Sequence, residues 1–487
     1  MKQVPSYLST MRLIIVFFIT CFFQMSAWSQ WTLEKCIEQA LSNNIQLQQT
    51  IINQQITAYG QWTATGAMLP SLNGQASHGY NWGQRIDPFT NSFASERIQS
   101  NSFGVSSSID LFTGGQNWFN YQKIRSDVAS SQWNVEKVKN QIALQTANAF
   151  LNVILTTELL KIAKSTSDNS MEQLKRAQKQ FEIGTVNAGS LAEIEAQHKT
   201  NLANQVVSEN NLKIAQLSLM QLMRLEDKQM DGFEAVFPDI SLFAVNDQLP
   251  PKSLVIETAL GNQPSIQSSL AAISSAQFNH KLAKSGVAPR LSASFSLGTG
   301  YSGAARVLTG QPDVLSYPIG TVMGTNDVVM SIPQQVYFSD DYSVKSFDAQ
   351  MRDNVNRSFF FSLTIPVFNG FQNHANIQRA KLGVDNAILN WELAKQQLKM
   401  DIETAFSNAE AAISNYRANE QSLQSNEQSY QWSQTRFDNG LINAMELSIA
   451  RNRLDIARAQ LVRAKVDFVF KRNILNFYLN QPIQLQP

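Results

Sequence analysis

A chain that repeats itself in register over roughly a hundred residues folds as two copies of one unit, and this sequence does so. Phe112-Thr113-Gly114-Gly115-Gln116-Asn117 is matched by Phe368-Asn369-Gly370-Phe371-Gln372-Asn373 at an offset of 256 (368 minus 112). The register then holds. Ala149-Phe150 falls on Ala405-Phe406, Phe181 and Gly184 on Phe437 and Gly440, and Asn187-Ala188 on Asn443-Ala444. Upstream, Ala40-Leu41-Ser42-Asn43 and Pro70 pair with Ala259-Leu260-Gly261-Asn262 and Pro289 at an offset of 219 (289 minus 70). The second half therefore holds 37 additional residues (256 minus 219) between the two matched stretches.

Residues 31–69 read as one helix, with Leu33, Ile37, Ala40 and Leu41 on one face and no proline before Pro70. Its counterpart runs from Leu254 to Val287 and stops at Pro289. Proline cannot continue a helix and holds the residue before it extended, so both prolines mark a helix handing over to a strand. The strands alternate. In Leu291-Ser292-Ala293-Ser294-Phe295-Ser296-Leu297 every odd position is apolar and every even one is serine. Phe359, Phe361, Leu363, Ile365 and Val367 oppose Phe360, Ser362, Thr364 and Pro366, and Phe103, Val105, Ile109 and Leu111 oppose Gly104, Ser106, Ser108 and Asp110. Leu72, Ala76, Tyr80 and Trp82 give a weaker version. Period two with small hydroxyls on one face suits a membrane barrel with a wet lumen; one sheet of a soluble sandwich is the other reading. Four strands cannot close a barrel, and open edges are not tolerated in lipid, so several chains would have to share one. Two chains would make an eight-stranded barrel filled by side chains, and three a twelve-stranded one with room for a channel. The loops between paired strands, His78 to Ser102 and Gly298 to Asn356, are rich in Gly, Ser and Asn.

No proline falls between Gln116 and Phe237, or between Phe371 and Gln481. At 1.5 Å per residue the ~65 residues from Gln116 to Gln180 would extend about 95 Å, and helices that long must pack along their length. The returning helix shows how: Leu447, Leu454, Leu461, Phe468 and Leu475 recur every seven residues, with Ala450, Ala457 and Ala464 three further on. That heptad predicts knobs-into-holes coiled-coil walls rather than an ordinary bundle. In the first copy His198 and Gln205 occupy the equivalent row.

Only 16% of the 487 residues are charged and the net charge is +1, which offers nothing to nucleic acid. Lys2 and Arg12 flank an apolar run from Leu13 to Phe23, followed by Ala27-Trp28-Ser29. The run is about half of the ~20 residues needed to span a bilayer, so 1–29 reads as a secretory signal peptide. A lipoprotein signal ending at Cys21 fits Thr20 and Phe18 poorly, and Cys36 is then the one cysteine left. No Cys/His spacing marks a metal site, and His78, His198, His280 and His374 are scattered. Gly298-Thr299-Gly300-Tyr301-Ser302-Gly303 fits a dinucleotide pattern but runs on into loop residues, where that fingerprint needs a helix. Met220, Met223 and Met230 read as helix-packing residues before copper ligands. Neither an enzyme nor a cofactor is expected.

The chain divides into signal peptide 1–29, helix 30–70, strand pair with loop 71–112, long helical hairpin 113–230, linker 231–251, helix 252–289, strand pair with longer loop 290–368, long hairpin 369–480 and tail 481–487. Trp118, Phe119 and Tyr121, just past a strand-to-helix junction, suit a lipid headgroup boundary. Glu193, Glu195 and Glu446 follow the helical turns, and in a symmetric assembly each would form a carboxylate ring that attracts cations.

With the duplicated plan, the Leu69-Pro70 and Ala288-Pro289 junctions, Phe112-Thr113-Gly114-Gly115 and Pro366-Val367-Phe368-Asn369-Gly370, the chain resembles the TolC-type outer-membrane efflux proteins over essentially its whole mature length. The resemblance implies a mainly α protein with membrane β: a homotrimer whose twelve-stranded barrel, four strands per chain, continues into an α-helical coiled-coil tunnel in the periplasm. It makes Pro70, Phe112, Gly114, Pro289, Phe368 and Gly370 the strand-helix junctions. It implies a tunnel closed at its far end by the helical turns and opened by a periplasmic adaptor and an inner-membrane transporter, the outer-membrane protein itself being a passive conduit. The family's gate acids fall six residues after the turn glycines Gly184 and Gly440; Glu446 matches, whereas Ser190 stands in the first half. A further acid of some members, nine residues after the glycine, is matched by Glu193 and not by Ile449, and Ile442 stands where some carry an arginine. The expected function is export of small molecules or unfolded polypeptide; the alternative is a non-conducting periplasmic or cell-surface coiled-coil scaffold.

Overall fold

The computed structural model describes residues 30–94, 97–225, 234–235 and 248–481. The signal peptide at 1–29, most of the linker at 231–251, Met230 and the tail beyond Gln481 lie outside the described residues. The main elements in order are α1 (Leu33–Asn43), α2 (Ile45–Gly66), β1 (Ser71–Asn81), β2 (Ile98–Phe112), α3 (Gln116–Glu182), α4 (Ala188–Met223), α5 (Lys252–Asn262), α6 (Pro264–Ser285), β3 (Arg290–Ser302), α7 (Phe347–Asp353), β4 (Asn356–Thr364), α8 (Gln372–Asp438) and α9 (Ala444–Tyr478). Both α3 and α8 have 67 residues. The chain groups into two compact units: Met1–Thr57 with Ser126–Ser274 and Asp385–Pro487, and Ala58–Arg125 with Ser275–Val384.

The first unit is helical. Where the sequence reads one helix before each strand pair, the chain has two, broken at Asn44 and Gln263, which are 219 apart (263 minus 44). Asn44 turns extended, gives its N–H to the Ala40 carbonyl at 2.9 Å, and accepts the Leu47 N–H on its side chain at 3.2 Å. One residue thus ends α1 and caps α2. At the second break Gln263 gives its N–H to Ala259 at 2.9 Å, and Pro264 takes the first position of α6, where a missing N–H costs nothing.

The core of this unit is also duplicated. Phe150, Leu219, Ala40 and Leu47 lie in one buried cluster, and their counterparts Phe406, Leu475, Ala259 and Ile266 lie in another. Met220 and Met223 belong to the first cluster as packing residues. Cys36 is fully buried there, and burial first, then the Glu34 carboxylate, pushes its thiol up to about 12. It is inert.

On α9 the heptad stripe is internal, with Leu454, Ala457, Ala464, Phe468 and Leu475 all buried. In the first copy the places of Leu454 and Ala457 go to His198 and Asn201, buried as well. His198 Nδ1 meets the Ser170 hydroxyl at 2.9 Å, and that hydroxyl also lies 2.7 Å from the Ser167 carbonyl. Ser170→Ala would leave the imidazole without this partner and is expected to cost about 1–3 kcal/mol. His198→Leu, which installs the residue of the second copy, should not cost stability. Thermal unfolding of the two purified variants followed by circular dichroism checks the order.

The second unit contains a four-stranded antiparallel sheet in the order β4-β3-β2-β1. Register runs from Ser71 opposite Ser108 to Asn81 opposite Ile98, from Ser100 opposite Ser302 to Ile109 opposite Ala293, and from Asn356 opposite Gly298 to Thr364 opposite Arg290. Three expectations need correction. The loops are shorter than His78–Ser102 and Gly298–Asn356, because β1 runs on to Asn81, β2 starts at Ile98 and β3 runs on to Ser302. β4 stops at Thr364, two residues short of Pro366, whose nitrogen has no hydrogen to give a ladder, so Ile365 and Val367 lie beyond it. The long second loop is ordered as a paired ribbon: Arg306–Leu308 pairs with Tyr342–Val344, Asp313–Leu315 with Gln334–Val336, and Pro318–Thr321 with Val328–Met330. Helix α7 then leads into β4.

Candidate functional site

The sheet has two chemically different faces. On one, Phe359 stands opposite Phe295, Phe361 opposite Ala293, Leu363 opposite Leu291, and Leu297 opposite Val105. On the other, serine hydroxyls meet across the strands: Ser71 and Ser108 at 2.9 Å, Ser77 and Ser102 at 2.7 Å, Ser296 and Ser358 at 2.7 Å. Phe360 is the aromatic exception on that side. Phe359, Phe361 and Leu363 are each about 60% exposed in the single chain, at 60%, 63% and 61%. Such a sheet can put its apolar face in hydrocarbon and its hydroxyl face in water; the reverse would strand hydroxyls in oil at about 1–3 kcal/mol each.

At the first strand-helix junction Gly114 and Gly115 are both left-handed, with φ of 61° and 83°, and at the second Gly370 and Phe371 both have φ of 64°. The asparagine of each repeated motif ties the junction to the helix before the strand pair. Asn117 Nδ2 donates to the Ala67 carbonyl at 3.1 Å and Asn373 Nδ2 to the Gly286 carbonyl at 2.8 Å. Pro70 and Pro289 immediately precede β1 and β3. Phe112 and Phe368 are exposed, and Phe368 meets Phe371 edge to face at 5.5 Å. Trp118 is 55% exposed and stacks on Tyr121 at 6.0 Å, while the Phe119 ring lies 3.0 Å from where a Gly115 Cβ would be. A second exposed aromatic pair was missed: Tyr59 and Trp62 on α2, 5.7 Å apart. Their three-residue spacing on one helix face was the available signal.

The two helical turns are copies. Gly184 has φ of 76° and its N–H reaches Phe181 O at 2.9 Å, with Thr185 N–H on Gln180 O at 2.9 Å. Gly440 has φ of 72°, its N–H reaches Phe437 O at 2.9 Å, and Leu441 N–H reaches Arg436 O at 2.8 Å. This is the closed glycine ending of a helix. Asn187 and Asn443 then cap the returning helices, accepting the N–H of Ser190 at 2.8 Å and of Glu446 at 2.9 Å. Ser190 and Glu446 are therefore third residues of capped helices, a place where a carboxylate favours the helix on its own account. Glu446, Glu193 and Glu195 are exposed. Among the described residues no ion pair includes them, and no hydrogen bond joins one turn to the other. Nor is any group of three or more His, Cys, Asp or Glu placed to hold a metal.

A duplicated chain with a two-faced membrane sheet and paired 67-residue helices has the architecture of an outer-membrane channel protein. The model of the outer membrane efflux protein family matches residues 36–223 and 255–481, and the chain belongs to that family. Its four strands and paired long helices are those of a family whose solved channels are trimers, with a barrel continued by an α-helical tunnel. Similar solved structures include the outer membrane protein VceC of Vibrio cholerae, at 14% identity and a TM-score of 0.71 over 93% of this chain and 97% of that one. The CmeC channel of Campylobacter jejuni gives 17% identity and 0.70, over 93% and 87%. The open-state MtrE channel of Neisseria gonorrhoeae gives 19% and 0.70, over 93% and 90%. None of the curated proteins matches the chain.

Proposed function

We propose that three copies of this chain form the outer-membrane duct of an export system, passing small molecules or unfolded polypeptide while an inner-membrane pump, engaged through a periplasmic adaptor, supplies the energy. The observation that carries this reading is the sheet: apolar on one face, hydroxyl-lined on the other, with β1 and β4 left as edges within the chain. Edges in lipid need partners, and three copies close them around a space wide enough for cargo. Trp118, Phe119 and Tyr121 would lie at the lipid headgroup boundary. The tunnel, in this reading, lies in the periplasm and is gated at the Gly184 and Gly440 turns, with Ser190, Glu193 and Glu446 as the gate candidates.

The test is electrical. Purified protein should run as a heat-resistant trimer and conduct in planar bilayers. A ring of three Glu446 carboxylates would bind cations and block the current. Glu446→Lys gives up about 0.3–1 kcal/mol of helix-terminus electrostatics, so the trimer survives, while the cation concentration for half block rises about tenfold, or ~1.4 kcal/mol. Unchanged block would remove Glu446 from the gate. A water-soluble mature protein without current would favour the scaffold.

A further inference from the structure

The first loop of the sheet does not stand away from the strands. Its turn is built on Asp87, whose Oδ1 accepts the N–H groups of Phe89 and Thr90, both at 3.0 Å, and the Thr90 hydroxyl at 3.1 Å. Asp87 N–H bonds the Ser92 carbonyl at 3.0 Å, closing the turn. The other carboxylate oxygen, Oδ2, accepts the Ser302 hydroxyl at 2.5 Å, across 215 residues of sequence. Asp87 is 2% exposed and Ser302 fully buried. Burial works to raise the Asp87 pKa, but the bonds from Ser302, Thr90 and Phe89 outweigh it and hold the carboxyl below the ordinary aspartate range.

The place where this turn lands matters. Ser302 and Gly300 share parity on β3 with Ser292, Ser294 and Ser296, which puts them on the hydroxyl face. The Phe89 ring occupies the space above Gly300, 2.0 Å from the Cβ that any other residue would carry there. The second loop leans the other way. Its helix α7 sets Phe347 against Tyr301 at 5.7 Å and Phe103 at 6.3 Å, on the apolar face, while Gln350 clasps the Ser302 backbone through bonds of 2.9 and 3.0 Å. One loop is thus seated over the water-facing side of the sheet and the other over the lipid-facing side.

We infer that the turn at residues 86–92 forms a size-limiting constriction at the outer mouth of the duct, with Phe89 narrowing the passage and Asp87 positioning it through Ser302. The inference rests on the duct reading, since the hydroxyl face is luminal only if the barrel assembles. Three copies then bring three aromatic rings into the mouth, and glycine at 300 is the space each ring needs. Phe89 is a specificity-determining residue for cargo size; Asp87 is a positioning residue.

Single-channel recording on the full trimer tests it. With the gate at the Gly184 and Gly440 turns open, Phe89→Ala is expected to raise conductance about twofold or more, because the constriction at the mouth then governs passage. Asp87→Ala should do the same by freeing the turn, and Asp87→Asn, which keeps the Oδ1 acceptor, should restore most of the wild-type value. Phe89→Cys, in a chain whose Cys21 is absent or replaced by serine, places one reactive thiol per chain, Cys36 being buried and unreactive. A bulky charged thiol reagent added from the loop side should then lower the current in as many as three steps. The inference is overturned if Phe89→Ala conducts like the wild type and complete labelling of Phe89→Cys, verified by mass, leaves the current unmoved. A wild-type trimer without current would sink the duct itself, an outcome distinct from a conducting trimer indifferent to residue 89.

Discussion

Gly114→Ala is expected to abolish folded trimer in the membrane fraction, while Gly370→Ala, the same change at the matching position of the repeat, leaves an assembled and only modestly weakened protein. Both glycines are left-handed, at φ of 61° and 64°, so each alanine meets about 1–2 kcal/mol of backbone strain. Their surroundings differ. A Cβ on Gly370 meets nothing within 4 Å, whereas one on Gly114 would lie 2.2 Å from the Ala288 Cβ and 3.3 Å from the Ser285 carbonyl oxygen. Ala288 cannot yield by turning a side chain, because its methyl is fixed to the backbone next to Pro289, where α6 hands over to β3. Overpacking of that kind adds about 1–3 kcal/mol, and the sum recurs in every copy of a symmetric assembly. Ala288→Gly should rescue Gly114→Ala in part, by removing the opposing methyl and leaving the φ strain. Heat-resistant trimer on gels and the thermal midpoint in detergent measure both effects. Equal losses at 114 and 370 would show that the close approach to Ala288 does not exist in the assembled protein.

The duplication was legible because the residues that carry it have local jobs: left-handed glycines at the turns, asparagine caps at 187 and 443, and Asn117 and Asn373 closing the preceding helices. The two faces of the strands were legible from period two. The breaks at Asn44 and Gln263 were not read, although Pro264 pointed to the second, because asparagine and glutamine inside a helical pattern carry little weight until their side-chain and backbone bonds are seen. The ribbon in the second loop consists of three- and four-residue pairings, such as Arg306–Leu308, Asp313–Leu315 and Pro318–Thr321, each too short for a periodic signal. Candidate gate positions could be placed from the repeat. The Asn443-x-x-Glu446 spacing also announces an ordinary helix start, so charge at 446 has a local reason apart from any gate. Asp87 and Phe89 went unnoticed, since what gives them meaning is a strand more than two hundred residues away.

Arginine placed on adjacent residues of β3 should produce opposite results. Phe295 faces Phe359 across the ladder on the apolar side, and Ser294 faces Phe360 and Ser108 on the hydroxyl side. An arginine on the lipid face of a barrel costs about 2–4 kcal/mol near the midplane, so Phe295→Arg costs roughly three times that in a trimer and should leave little heat-resistant protein. Ser294→Arg puts its charge in water. It should assemble normally, and three added positive charges at one level of the pore should shift the reversal potential in a salt gradient toward anion selectivity. The pair separates sidedness from generic tolerance of substitution, because the two sites share a strand, a depth and the same incoming residue. Assembly of Phe295→Arg alongside failure of Ser294→Arg would mean that the hydroxyl stripe faces packed protein or lipid, and the argument from wet lumen to conduit would fall with it.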